Sequence, residues 1–212
     1  MKAALLEKIN DPLAIREVGL SELEVGQVLV KVLVSGLCGA QLHEIRGHKG
    51  NEKFLPHLMG HEGCGRVKEI GPGVKKVKVG DKVVLHWKKG SGINADSPIY
   101  HWEGKKINAG YVTTFNDYAV VSENRCTPIS EKISDFNAAL FGCAITTGFG
   151  VIENNAKLKI GESIVVLGSG GIGLNIIQAA NLVSAYPIIA VDLYDERLKL
   201  AKKFGATHII NS

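Results

Sequence analysis

The stretch SGLCGAQLHEIRG, residues 35–47, carries a cysteine, Cys38, and five positions later a histidine, His43. Taken alone, Cys38 reads either as a small buried filler, the usual state of a free cysteine, or as a sulfur that holds something. Two other segments supply related chemistry. GHEGCGRV, residues 60–67, sets His61 and Glu62 between glycines, and FGCAITTGFG contains Cys143. Two thiolates and one imidazole are the ligand set of an open catalytic zinc site, with a fourth position left for water or substrate. Separation along the chain does not oppose this, because ligands of catalytic sites come from distant segments. Each residue also has a plainer reading: the cysteines as packed thiols, and His61 as a core histidine bonded to backbone.

A second constellation lies in GESIVVLGSGGIGLNIIQAANLVSAYPIIAVD. An apolar strand, Ile164 to Leu167, runs into Gly168, Gly170 and Gly173 at G-x-G-x-x-G spacing. A helical stretch and a second apolar strand follow, ending in Asp192. The first glycine permits the tight turn, the second lets a pyrophosphate approach the backbone, and the third lets helix and strand pack closely. Gly171 and Ile172 complete the turn where the helix N-terminus offers free N–H groups to phosphates, and belong to the same cofactor-binding set. Asp192 falls 19 positions past Gly173, near the distance at which an acid binds the adenosine ribose hydroxyls. That acid favours NAD(H), since a 2′-phosphate would be repelled and the nearest arginine is Arg197. A plain βαβ unit whose Asp192 caps the next helix is the alternative.

The elements that must position these residues fall into two textures. Up to about residue 130, short apolar alternations broken by glycine, such as GQVLVKVLVSG and VKVGDKVVLHW, suggest an antiparallel barrel or sandwich. From about residue 135 the period becomes helical: SDFNAALFGCAITTGFGVIENN reads as an N-capped helix near the junction of two units. The 212 residues, 45% hydrophobic and 22% charged, have an ordinary globular composition. The start lacks the apolar run of a signal peptide, and nothing approaches the roughly 18–20 apolar residues of a membrane span. Four cysteines without disulfide-scaffold spacing point to reduced thiols or metal ligands and, with the missing leader, to the cytoplasm. The net charge is +4, but the lysines are dispersed, so a solvated surface explains them better than a nucleic-acid face.

Together these motifs resemble the zinc-type medium-chain dehydrogenases, the alcohol and polyol dehydrogenase family. SGLCGAQLH, GHEGCGRVKEIGPGVKKVKVGDKVV, GCAITTGFG and VVLGSGGIG occur in that family's order, and the match covers essentially the whole chain. The resemblance implies a mixed β and α/β fold, with a GroES-like β-barrel catalytic domain over residues 1–150 and a partial Rossmann domain over 151–212. It implies one catalytic Zn2+ held by Cys38, His61 and Cys143, with Glu62 beside the metal as an exchanging ligand and in the catalytic set. It implies NAD(H) as hydride carrier and His43 as the outer member of a proton relay, against the plainer reading of His43 as a surface residue. The substrate would be a small or medium polar alcohol or carbonyl compound. The whole protein would be a homo-oligomer with neither nucleic-acid nor membrane partners. A catalytically inactive binding or structural member of the family is the alternative, and a zinc-free reductase fits less well because all three ligands are present.

This chain departs from the family pattern in several places. Ala40 stands where most members carry a hydroxyl that starts the relay. Gln41 replaces the aspartate that commonly orients the zinc-binding histidine, and a neutral amide makes His61 a poorer ligand. The four clustered cysteines of a structural zinc lobe are missing from HWKKGSGINADSPIYHWEGKKINAG, so no structural zinc is expected. That segment carries His86, Trp87, Tyr100, His101 and Trp102, which form either a loop selecting a polar, sugar-like substrate or an ordinary surface loop anchored by two tryptophans. Cys64 and Cys126 read as packed thiols. The chain ends at AKKFGATHIINS, near the third strand of the nucleotide fold, so a fragment or truncated product is expected, able to bind metal yet failing to turn over.

Overall fold

The structure, a computed structural model, describes residues 1–48, 50 and 54–212. It divides into two compact units, Met1–Cys143 and Ala144–Ser212. The boundary expected after residue 150 lies at the far end of the helix that opens the second unit.

The first unit runs β1 (Lys2–Leu6), β2 (Ala14–Glu17), β3 (Gly19–Leu20), β4 (Gln27–Ser35), α1 (Gly39–Ile45), β5 (His57–Leu58), β6 (Glu62–Ile70), β7 (Lys82–His86), β8 (Tyr100–Trp102), β9 (Lys105–Ile107), β10 (Tyr118–Ser122), β11 (Cys126–Pro128) and α2 (Asp135–Leu140). Its centre is an antiparallel sheet in the order β10-β4-β6-β7-β11. Val28, Val30, Val67, Val83, Leu85 and Val121 point from this sheet into one core. That inward set follows from the period-2 alternation of sequences such as QVLVKVLVS. Leu5, Leu58, Tyr100 and Ile107 fill a second core beneath β1 and β8.

The β architecture is as expected, but the expected barrel does not close. Besides the central sheet, β2-β1-β5 and β3-β8-β9 form separate three-stranded ladders, and isolated bridges at Ala3–Asn116 and His57–Asn108 join segments outside them. Two irregularities mark the central sheet. β4 shifts register against β6 at Leu29/Val30 and again between Val32 and Val34, which bends the strand out of a continuous ladder. At one edge, β11 ends in Pro128, whose missing N–H cannot extend the pairing.

α2 is capped by Ser134, whose Oγ accepts the Asn137 N–H at 3.2 Å. Lys82 Nζ, almost fully buried, lies 2.6 Å from Asp135 and ties the helix to β7. The single helix expected from residue 135 onward is two helices, because the chain turns at Phe141–Cys143 between α2 and α3 (Ala144–Gly150). A Cβ on Gly142 would sit 2.3 Å from the Leu85 carbonyl oxygen and 2.7 Å from Glu62 Cβ. Glycine alone lets the chain pass this close to β6 and β7, and that approach brings Cys143 to β6.

The second unit continues from α3 through a π-helical turn, Val151–Ala156, to β12 (Ile164–Leu167), α4 (Gly171–Leu182), β13 (Ile188–Asp192), α5 (Asp195–Lys203) and β14 (His208–Asn211). The strands are parallel in the order β12-β13-β14, with Ile164 opposite Ile188 and Ile189 opposite His208. Ile177 and Ala180 of α4 and Leu198 and Ala201 of α5 pack on Ile188 and Ala190. This is the βαβ arrangement expected of a Rossmann-type unit. Among the described residues no helix is long and apolar enough to cross a membrane.

Candidate functional site

Cys38, His61 and Cys143 converge within the first unit: one ligand atom from each lies within 4.8 Å of the others. Cys38 is the residue before α1, in extended conformation with φ −108° and ψ 147°. His61 immediately precedes β6, and Cys143 follows the Gly142 turn. In a tetrahedral zinc site with Zn–S of about 2.3 Å and Zn–N of about 2.0–2.1 Å, ligand atoms stand roughly 3.5–3.8 Å apart. The observed spread is within about 1 Å of that. Two sulfurs and a borderline imidazole suit Zn2+ better than the hard oxygen-seeking cations. The donor set therefore fits zinc.

The groups around this cluster differ in how they relate to it. Gln41, buried on α1, accepts the Cys38 N–H through Oε1 at 3.0 Å and places Nε2 2.5 Å from His61 Nδ1. This leaves Nε2 as the imidazole nitrogen for a metal. Glu62 lies outside the group that meets within 4.8 Å; it is 2% exposed and packed against Gly36 and Gly142. His43 is exposed on α1, its ring edge-on to His48 at a centroid distance of 5.5 Å.

Of the five ring-bearing residues singled out in the segment 86–110, Trp87 lines the pocket beside His61. Lys88, Lys89 and Gly110 of the same segment line it as well. Tyr100 is fully buried in the second core and its hydroxyl accepts the Val120 N–H, while Trp102 lies under the Arg16 guanidinium. His86 is engaged at both nitrogens, by the Lys88 carbonyl and the Thr127 hydroxyl, and burial lowers its pKa. Cys64 and Cys126 are buried, and desolvation pushes their thiols up to about 11 and about 12. Both are packing residues. The pocket, of about 530 Å³, also carries Lys88, Lys89, Tyr111 and Arg125. Sequence reasoning passed over Arg125; its only signal was an arginine inside SENRCTPI, a segment otherwise written for a sheet edge.

In the second unit, Gly168 adopts φ +91°, and a Cβ on Gly173 would lie 1.9 Å from the Gly168 carbonyl oxygen. The turn therefore needs glycine at both ends. Gly170 is the N-cap of α4 and, with Gly171 and Ile172, opens the helix without a side-chain cap, leaving amide donors at its N-terminus. Asp192 accepts the Ser169 N–H at 2.7 Å and the Tyr194 N–H at 3.0 Å, and Arg197 stands 3.6 Å away. The Ser169 amide, with Tyr194 and Arg197, outweighs burial and holds the Asp192 carboxyl below its ordinary value. The acid thus links the glycine turn to the start of α5, so capping and ribose binding are both within its capacity. A carboxylate has about four acceptor sites, of which the two amides take two and Arg197 lies beside one oxygen.

Residues 24–131 match the family model for the alcohol dehydrogenase GroES-like domain, and residues 171–212 that for the zinc-binding dehydrogenases. The chain is 32% identical over 243 aligned positions to an S-(hydroxymethyl)glutathione dehydrogenase of Paracoccus denitrificans, covering 99% of this chain and 63% of that protein. Among solved structures, an alcohol dehydrogenase zinc-binding domain protein of Burkholderia ambifaria superposes with a TM-score of 0.90 at 28% identity, covering 99% of this chain and 63% of the other. An Escherichia coli alcohol dehydrogenase solved with NADH gives a TM-score of 0.80 at 28% identity, covering 100% and 62%. The chain spans somewhat under two thirds of the length of these relatives.

Proposed function

Because the chain belongs to the zinc-type alcohol dehydrogenase family, we propose that the whole protein is a zinc- and NAD(H)-dependent oxidoreductase acting on a small or medium polar alcohol or its carbonyl counterpart. The observation that carries the reading is the meeting of Cys38, His61 and Cys143 within 4.8 Å. When bound, zinc supplies Lewis acidity that lowers the pKa of an alcohol or polarises a carbonyl, and the nicotinamide accepts or gives the hydride.

This chain's residues then have distinct tasks. Cys38, His61 and Cys143 hold one catalytic metal, and the lack of clustered cysteines in residues 86–110 leaves no structural zinc. Gln41 orients His61. Glu62, next in sequence to His61 and buried against Gly36 and Gly142, is the reserve ligand. His43, exposed on α1, passes protons to solvent, and because Ala40 has no hydroxyl the inner step of that relay uses water. Gly168, Gly170, Gly171, Ile172 and Gly173 receive the pyrophosphate at the start of α4, and Asp192 receives the ribose hydroxyls. The reducing cytoplasm, where Cys38 and Cys143 stay reduced and available as ligands, is the matching compartment, and a homo-oligomer the matching assembly.

Hydride transfer to NAD across a panel of alcohols, measured on the full-length protein, tests this. Turnover that is lost with Cys38→Ala supports the enzyme. A folded, zinc-loaded, NADH-binding protein with no turnover on any alcohol or aldehyde would instead support an inactive binding member of the family. That second reading draws on Ala40 and Gln41, which remove a hydroxyl and a carboxylate from the relay and the metal's surroundings.

A further inference from the structure

Arg125 forms part of the wall of the pocket that His61 lines, and no carboxylate among the described residues pairs with it. It ends a short 3-10 turn, Glu123–Arg125, between β10 and β11, and is 8% exposed. The guanidinium donates to the Trp87 carbonyl oxygen and lies 4.5 Å above the Tyr111 ring, while Nε is buried without an acceptor. Burial lowers its pKa from the ordinary arginine value, with Tyr111 working in the opposite direction. Buried charges are as a rule paired, because an ion taken out of water without a partner is strongly disfavoured. One carbonyl and one ring engage only part of the five N–H donors.

The rest of the wall points the same way. Lys88 and Lys89 are exposed on the same pocket, against one carboxylate, that of Glu44. We propose that this pocket binds an anionic group of the substrate, a carboxylate or a phosphate monoester, with Arg125 as the anchor and Lys88 and Lys89 drawing the anion in. The guanidinium fork matches either oxyanion. At about 530 Å³ the pocket has room for more of a small metabolite than its charged group. The proposal rests on the pocket being the substrate side of the zinc centre, and it narrows the substrate class to alcohols or carbonyl compounds that carry an oxyanion.

The test uses metal-free protein, so that an anion cannot bind through zinc, titrated with inorganic phosphate, with acetate and with neutral glycerol. Calorimetry and tryptophan fluorescence, in a Trp102→Phe background so that Trp87 is the reporter, follow binding. One or both anions bind and glycerol does not, and the tighter anion assigns phosphate or carboxylate. Arg125→Gln weakens anion binding about tenfold or more, the loss of a charge-assisted bond. Replacing both exposed lysines, Lys88→Gln with Lys89→Gln, weakens it roughly two- to fivefold and flattens its salt dependence. The proposal is overturned if neither anion binds, or if folded Arg125→Gln binds as the parent does. Should Arg125→Gln fail to fold, the lysine pair decides, and unchanged affinity and salt dependence overturn it. Zinc content, measured separately, distinguishes this failure from failure of the dehydrogenase reading: anion binding without zinc capacity sinks only the latter.

Discussion

Replacing Gln41 by Glu is expected to tighten zinc binding by about 10- to 100-fold, and the reason is a conflict of hydrogen-bond donors. The Cys38 backbone N–H can only donate, so it fixes the Gln41 carbonyl oxygen 3.0 Å away, and the amide nitrogen is left 2.5 Å from His61 Nδ1. That NH2 must donate to Nδ1, which puts the imidazole proton on Nε2, the nitrogen left for a metal. Ligation needs the opposite tautomer, with the proton on Nδ1. Turning the amide over only moves the mismatch onto Cys38. Either arrangement leaves one buried donor unpaired, at about 1–3 kcal/mol. Such a loss is a factor of roughly 5 to 150 in metal affinity. Glutamate at the same position has two acceptor oxygens and serves both donors. Competition against a chromogenic zinc chelator measures the change, and the absorption of the cobalt form reports whether the ligand set is kept. Long-range proton–nitrogen spectra of the metal-free parent are expected to show the His61 proton on Nε2. Equal or weaker zinc binding by the variant, or a proton on Nδ1 in the parent, would refute the reasoning.

Three further outcomes follow from the geometry. Asp192→Ala removes the acceptor of the Ser169 and Tyr194 amides and is expected to weaken NADH binding about tenfold or more, read from nicotinamide fluorescence. Gly173→Ala drives a Cβ to within 1.9 Å of the Gly168 carbonyl, so the second unit should lose about 1–3 kcal/mol in thermal or denaturant unfolding while the first unit's metal capacity persists. Glu123 is buried and accepts the amides of Lys75 and Lys76 at 2.6 Å and of Ile93 at 2.7 Å. Burial disfavours its charge, but these bonds outweigh burial and hold the carboxyl below its ordinary 4.5. Its stabilisation is therefore complete above that value and fades as pH falls through the lower folded one. Glu123→Gln should cost about 1–3 kcal/mol at neutral pH and progressively less in acid, and a cost independent of pH would count against the assignment.

Local constraints were the most legible part of the sequence. The glycine turn could be read directly because φ +91° at Gly168 and the contact at Gly173 are demands of a few neighbouring residues, and only glycine meets them. The meeting of Cys38, His61 and Cys143 could be anticipated only through ligand chemistry and family likeness, since nothing local ties together residues more than 20 positions apart. Closure of the barrel was not legible, because alternating hydrophobicity encodes neither register shifts such as those in β4 nor where an edge strand stops. Helical periodicity from residue 135 to 150 was real, yet it hid the break at Gly142, where a close approach to Leu85 overrides local preference. Tyr100 and Arg125 show the same limit from opposite sides. An aromatic in a loop-like segment became core, and an arginine in a strand-like segment became a pocket wall, because burial of a single side chain is decided by distant strands.

The most direct test of the account is zinc analysis of the purified protein, with X-ray absorption at the zinc edge to identify the ligands. About one zinc per chain is predicted, bound by two sulfurs and one imidazole nitrogen and lost in both Cys38→Ala and Cys143→Ala. A folded protein that takes up no zinc, a metal shell without sulfur, or zinc retained in both cysteine variants would contradict it.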